Sequence, residues 1–458
     1  MKIGFGQVDI TPKGGKSSLL GQFDKRVTDE VNDPLYAVAM VIISDNARSI
    51  WVGTDNCEIF EGTSLLAFEA TKKLVPDLKE DEFVVSATHI HTGPTLWPNT
   101  YLSLTGDRSE AEGSMPAAEC NRQFAEGVAK AVRQALDNAV EARAELAIAR
   151  VQTGVCRRVV YKDGTAQMYG DAYRPDFLKM EGRDGGPIQL LYVYDKSDKL
   201  TGIVANVPCT AQCDENALYI TADYWGVVRA RLKEAFGEDV KVLPLCRAAG
   251  DLSPHNIVDR VPMERKKGLY SGRGCALETG NRVADAIIWH QHKALAAYGD
   301  GTRHLQAMRE VDFPVWPVSE AEYREALRYL ADRSNFTETG AAKSPFDNSN
   351  ACSRKQRFEN GDKIYRSRIF ATRLGDILML SFPFELYIEY ADRIRMALGN
   401  SVVFDVQLAH DNLGYLATPR AVAGGHYSAN IFNGVCAPDG GEVLVKESVE
   451  LAKELIDA

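Results

Sequence analysis

No stretch of this 458-residue chain is apolar for long enough to cross a bilayer, and the longest apolar runs, such as Tyr36 to Ile43, have only the length of a strand. The N-terminus, Met1-Lys2-Ile3-Gly4-Phe5-Gly6, lacks the apolar stretch and small-residue cleavage site of a secretory signal. Basic clusters are also missing. The formal net charge is -10 and there is no long run of Lys or Arg, which argues against the phosphate neutralisation a nucleic-acid partner requires. The nine cysteines are odd in number and include no CxxC pair, which fits a reducing compartment rather than a disulfide framework. No internal repeat or heptad is visible. These absences predict a cytoplasmic protein whose partner is a small-molecule substrate, with no nucleic acid and no membrane. Assembly into a homo-oligomer stays open.

What is present is ample material for a core: 45% of residues are hydrophobic and 25% charged. Apolar, β-branched runs at 35–44, 49–53, 83–88, 188–194, 241–246, 369–374 and 402–408 read as strands. Helical patterns fall at 121–140, 224–236, 277–297, 320–332 and 385–398. The alternation predicts an α/β fold built on a large mixed sheet. Residues 1–458 read as one catalytic domain carrying an inserted loop or lid at 317–366. Within it, 336–363 is rich in Asn, Ser, Gly, Lys and Arg and reads as a long surface loop.

Four segments carry residues suited to chemistry. Ser86-Ala87-Thr88-His89-Ile90-His91-Thr92-Gly93-Pro94 ends a predicted strand, and period two places both imidazoles on one side of it. Such a pair supplies metal ligands or substrate-orienting groups, although neutral histidines also satisfy ordinary hydrogen bonds. Gly250-Asp251-Leu252-Ser253-Pro254 follows a buried strand and displays a serine placed as a nucleophile or oxyanion donor would be. The same residues also make a normal turn. In Ser381-Phe382-Pro383-Phe384-Glu385 the proline suits a first helical turn, which would set Glu385 at a helix N-terminus. His410 to Pro419 leads through Tyr415 to Gly424-Gly425-His426-Tyr427, a Gly-rich stretch with the composition of a loop that lines a site.

In this order the segments resemble the neutral/alkaline ceramidase family. Ile3-Gly4-Phe5-Gly6-Gln7-Val8-Asp9-Ile10-Thr11-Pro12 is similar to the family's opening Gly-x-x-x-Asp-Ile-Thr, and Asp33-Pro34-Leu35 to its following Asp-Pro-Leu. His89-Ile90-His91-Thr92-Gly93-Pro94 resembles its Thr-His-Thr-His-Ser-Gly-Pro signature, and Gly250-Asp251-Leu252-Ser253-Pro254 its Gly-Asp-Val-Ser-Pro. Pro383-Phe384-Glu385 and Gly414-Tyr415-Leu416-Ala417-Thr418 are similar to its Pro-Gly-Glu and Tyr-x-x-Thr elements. The resemblance runs from Ile3 to Tyr427 and is weak between Val258 and Arg366. It implies zinc held by His89, Glu385 and Tyr415, a catalytic Ser253, and a substrate pocket lined by His91 and Tyr427, with Arg157 matching a motif arginine.

The chain departs from the family in two respects. The second zinc histidine belongs to an Asn-x-x-x-His segment, which here reads Asn206-Val207-Pro208-Cys209-Thr210-Ala211-Gln212-Cys213-Asp214 without a histidine. Cys209, Gln212, Cys213 or Asp214 is left to replace it, and a Cys209 thiolate would be a capable zinc ligand. A secretory signal and the family's C-terminal β-rich domain are also not expected. The resemblance therefore implies a metal-dependent hydrolase acting on an amide or related bond of a small polar molecule rather than on ceramide. A lyase or isomerase for a sugar-like substrate, and a non-catalytic binding protein, are the rival readings.

Overall fold

Alternation along the central strands sets the layering in the computed structural model, which describes residues 1–96, 111–265, 268–338, 340–399 and 401–458. In the strand Tyr36–Ile43, Ala37, Ala39 and Val41 face one core, while Val38, Met40 and Ile42 face another. Strand geometry requires this, because successive side chains leave opposite faces. The first core is closed by Ala67 and Phe68 of the helix Glu61–Leu74, Phe124 and Val128 of Ala117–Asp137, Val228 of Tyr224–Phe236, and Val283 of Arg273–His290. The second core lies between two sheets.

The larger sheet has nine strands. Its order is Lys241–Cys246, Leu200–Val207, Ile188–Asp195, Val140–Ala149, Lys2–Asp9, Tyr36–Ile43, Arg48–Thr54 and Phe83–Ala87, with Ala296–Tyr298 also paired to Val140–Ala149. The smaller sheet runs His304–Pro314, Ile364–Leu374, Ile377–Ser381 and Val402–Val406. Phe370, Met379 and Phe404 of the smaller sheet meet Met40, Trp51 and Leu243 of the larger one. Trp51, fully buried, also donates Nε1–H to Thr372 Oγ1 at 2.8 Å across the layers. The outer face of the smaller sheet, including Ile369, Ala371 and Leu380, packs on Ile394 of the helix Ile388–Ala397 and on Leu444 and Leu451 of Asp439–Asp457. The protein is thus a mixed α/β fold of two sheets sandwiched between helices.

Parallel pairs occur where strands lead toward the site: Arg48–Thr54 with Phe83–Ala87, Leu200–Val207 with Lys241–Cys246, and Ile377–Ser381 with Val402–Val406. Loops at the carboxyl ends of parallel strands are the usual place for ligand sites in α/β sheets.

The structure corrects two expectations. Residues 336–363 are not a long loop, since Pro345–Asn360 forms a helix capped by Ser344 and ended by Gly361 in the left-handed conformation. It packs on Glu320–Ala331, with Tyr323 and Phe358 stacked 4.3 Å apart. Its mostly polar composition hid it because it buries only small side chains, Ser349, Ala351 and Ser353. Nor does Glu385 open a helix. Glu385–Leu386 pairs as a short strand with Tyr415–Leu416, and the helix begins at Ile388.

Candidate active site

Backbone hydrogen bonds between distant segments assemble the site. Glu385 and Tyr415 are direct partners in a two-residue parallel ladder, and Glu385 N donates to Gly414 O at 2.9 Å. Gly250 N donates to Leu386 O at 2.8 Å, and a Cβ at Gly250 would lie 2.4 Å from Glu385 O. That close approach is why a glycine stands there. Asp251 accepts from Ile388 N at 2.9 Å, while its carbonyl accepts from Arg157 N at 3.0 Å. Ser253 pairs with Val155 in a second short ladder.

The two histidines do not lie on the strand, which ends at Ala87. His89 has a left-handed φ of 66°, held by its N–H to Asn56 O at 2.9 Å. The period-two expectation therefore gives the wrong reason for a real proximity: His89 Nε2 and His91 Nε2 are 3.3 Å apart. His89 Nδ1 lies 2.8 Å from Cys57 O, so it carries the hydrogen and leaves Nε2 a bare electron pair. That Nε2 is also 3.3 Å from Glu385 Oε2, a buried carboxylate oxygen with no hydrogen-bond partner among the described residues. On its other side, His91 Nδ1 faces Glu215 Oε2 at 3.4 Å.

Arg157, fully enclosed, ties the remaining residues together. Its guanidinium donates to Tyr169 Oη at 3.0 Å, to Gly250 O at 3.0 Å and to Tyr415 Oη at 3.2 Å. Tyr169 in turn donates to Ser253 Oγ at 3.1 Å and accepts from Gln212 Nε2 at 2.8 Å. Ser253 Oγ accepts a second bond from His255 N at 3.1 Å, so its acceptor capacity is filled and its own hydrogen is the uncommitted group. Tyr427 meets Tyr415 edge-on at 5.7 Å and Phe23 at 5.6 Å.

The electrostatics follow from this packing. Burial would raise the Glu385 carboxyl, but His89 in its protonated form, through charge and a hydrogen bond, a hydrogen bond from Tyr415 and the Arg157 guanidinium hold it below the ordinary value. Burial pushes His91 well below its usual range, helped by His89, Arg26 and Arg157. Burial also raises Glu215 to about 7 and, together with Glu385, raises the Tyr415 phenol.

Seven of the eight residues singled out from sequence therefore lie in one connected cluster: His89, His91, Arg157, Ser253, Glu385, Tyr415 and Tyr427. The eighth does not join it. The Cys209 thiol bonds to Thr210 O at 3.4 Å and lies among Cys246, Cys275 and Asp223, while Gln212 is the residue of its segment that reaches the cluster. The cysteine close to the histidines is Cys57, whose thiol groups with His89 and His91 within 4.8 Å. Its Sγ lies 3.9 Å from Nδ1 of His89, the nitrogen already engaged by the Cys57 carbonyl. Sequence reasoning missed Cys57, Tyr169 and Glu215, none of which belongs to a recognisable motif, whereas Gln212 was one of the four residues named in the segment that lacks the histidine.

Beside Glu385, Tyr415 and Tyr427 opens a cavity of about 190 Å³, walled also by Glu58, Phe432 and Arg357. Arg357 belongs to the helix Pro345–Asn360 and is anchored on the carbonyls of Gly434 and Val435. This helix thus forms part of the cavity wall.

Layers and cluster together define an α/β protein of the neutral ceramidase fold. The chain superposes on a ceramidase complexed with C2 with a TM-score of 0.70, at 16% identity, over 99% of this chain and 75% of that one. It superposes on the neutral ceramidase from Pseudomonas aeruginosa with a TM-score of 0.72, again at 16% identity, over 99% and 74%. No family model and no curated protein matches the sequence. Among the described residues no helix is long and apolar enough to cross a membrane.

Proposed function

We propose that this chain is a metal-dependent hydrolase of an amide or related bond in a small polar substrate. The observation that carries the reading is the buried Glu385 Oε2, unpartnered yet 3.3 Å from a bare imidazole nitrogen of His89. With His89 neutral, its Nε2 and Glu385 Oε2 are two electron-pair donors facing each other, an arrangement that a bound cation satisfies. His89, Glu385 and Tyr415 are the residues that would hold it, and His89 already has the outward Nδ1–H to carbonyl bond that fixes a ligating tautomer. A divalent ion such as zinc supplies Lewis acidity toward water and toward the scissile carbonyl.

The chain's own groups define the rest. Arg157, backed by three acceptors, presents a fixed positive charge beside the Tyr415 phenol, suited to an oxyanion or substrate carboxylate. Ser253, with both lone pairs engaged, serves as hydrogen-bond donor and proton relay. Tyr427, in the cavity wall, orients the substrate. The cavity beside Glu385 and Tyr415 also presents Glu58, Asn412 and Arg357, polar groups suited to a polar substrate.

Protein purified without a metal-binding tag should contain close to one zinc per chain by elemental analysis. Against a library of small amides it should release amine and acid. Ser253→Ala should lower kcat by about 100-fold or more, the scale of one general acid–base group, and His89→Ala should lower it at least as far by removing a metal ligand. A metal-free protein, or turnover untouched in both variants, would end this reading.

A further inference from the structure

We infer that His91 takes the place of the missing histidine as a zinc ligand, with Glu215 as the carboxylate that orients it. The inference rests on the metal reading above and deepens it, because the segment in which the ceramidase motif has its second histidine delivers none here.

The first support is a distance. Two nitrogens bound to one tetrahedral zinc at about 2.0–2.1 Å must lie about 3.3–3.4 Å from each other. His89 Nε2 and His91 Nε2 are 3.3 Å apart, and Glu385 Oε2 stands at the same 3.3 Å from His89 Nε2. Both separations equal the edge that a zinc tetrahedron would have, and without a metal the two nitrogens are at hydrogen-bond distance. The rings meet nearly perpendicular, at 82°, rather than stacked, so both nitrogens turn toward one point.

The second support is the outward side of each ring. A ligating imidazole gives its other N–H to a carbonyl or carboxylate. His89 does so to Cys57 O, and His91 Nδ1, buried without a hydrogen-bond partner among the described residues, has Glu215 Oε2 in ion-pair reach at 3.4 Å. Glu215 is itself held by Gln212 Nε2 at 3.3 Å. The segment that fails to supply a histidine thus supplies an outer carboxylate. The His91 backbone is fixed too, since its carbonyl accepts from the buried Arg26, which also binds the carbonyls of Glu215 and Ala217. The ring and its carboxylate are therefore carried by segments clamped to one guanidinium.

Calorimetric titration of zinc into chelator-treated full-length protein tests the assignment, with thermal melting of each variant alongside. Wild type should bind one zinc per chain. Glu215→Gln should weaken binding about 10- to 100-fold, the range for an outer-sphere partner, and His91→Ala by more than that. Cys209→Ala should bind as wild type does. If His91→Ala does not fold, the Glu215→Gln titration decides. Wild-type affinity in either His91→Ala or Glu215→Gln, or loss of zinc in a folded Cys209→Ala, would overturn this assignment while leaving the hydrolase reading in place. A wild-type protein that takes up no zinc would overturn both.

Discussion

Arg158, next to the arginine singled out from sequence, shows what a single residue can conceal. Its side chain is fully buried and paired with Glu181 at 2.6 Å, and it also donates to the carbonyls of Ala421, Gly425 and Tyr427. It thereby fixes the loop that carries Tyr427. Replacing it leaves a buried carboxylate and three carbonyls without a donor, so Arg158→Met should destabilise the fold by about 3–5 kcal/mol. In urea the midpoint should fall without a change in slope, and Arg158→Met with Glu181→Leu should recover much of the loss. A loss below about 1 kcal/mol would show that the pair does not hold the loop. Arg158 left no sign in the sequence, because its partners Glu181, Ala421, Gly425 and Tyr427 are all remote along the chain, while Arg157, just before the strand Arg158–Tyr161, was singled out only through the family motif. His89, Ser253, Glu385 and Tyr415 were legible because they sit in polar, Gly- or Pro-rich segments after apolar runs. Tyr169 and Glu215 reach the site through long-range contacts that leave no local pattern.

Among the elements, helices with strong apolar periodicity were legible to within a few residues: 224–236 was read and Tyr224–Phe236 found, 320–332 read and Glu320–Ala331 found. Short strands were not. Glu385–Leu386 and Tyr415–Leu416 exist only because they pair with each other, and two residues carry no period of their own. The helix Pro345–Asn360 could have been read from Ser344 followed by Pro345 and from Gly361, a cap at each end. The turn at Gly250 gives a test at this scale. A methyl group 2.4 Å from Glu385 O must displace the ladder joining Glu385 to Tyr415. Gly250→Ala should therefore lower stability by about 1–3 kcal/mol, as overpacking does, and weaken zinc binding as well. The reverse pattern, zinc affinity unchanged in a destabilised variant, would detach this turn from the metal cluster.

Across the whole molecule, acid acts through two sets of buried groups that oppose each other. His304 joins the two sheets, with its ring nitrogens 3.0 Å from Ser44 Oγ and 2.8 Å from Ser49 Oγ, and burial lowers it to about 4. A histidine lowered from about 6.5 contributes stability that is present above pH 6.5 and is lost as pH falls through about 4. Burial raises Asp223 and Asp251 to about 6, so their contribution is present below the ordinary carboxylate range and is lost as pH rises through about 6. Over the same window one set weakens the fold on acidification and the other strengthens it, so the wild-type profile alone cannot reveal either. The difference between wild type and His304→Gln can, because only the histidine changes. At pH 7 the variant should be the less stable, through imperfect bonds to Ser44 and Ser49. By pH 4 the gap should have moved in the variant's favour by about 3 kcal/mol, the linkage expected for an imidazole lowered from about 6.5 to about 4. Urea unfolding at both pH values measures it, and a gap that does not change with pH would mean that burial at the sheet interface leaves His304 titrating as it does in the unfolded chain.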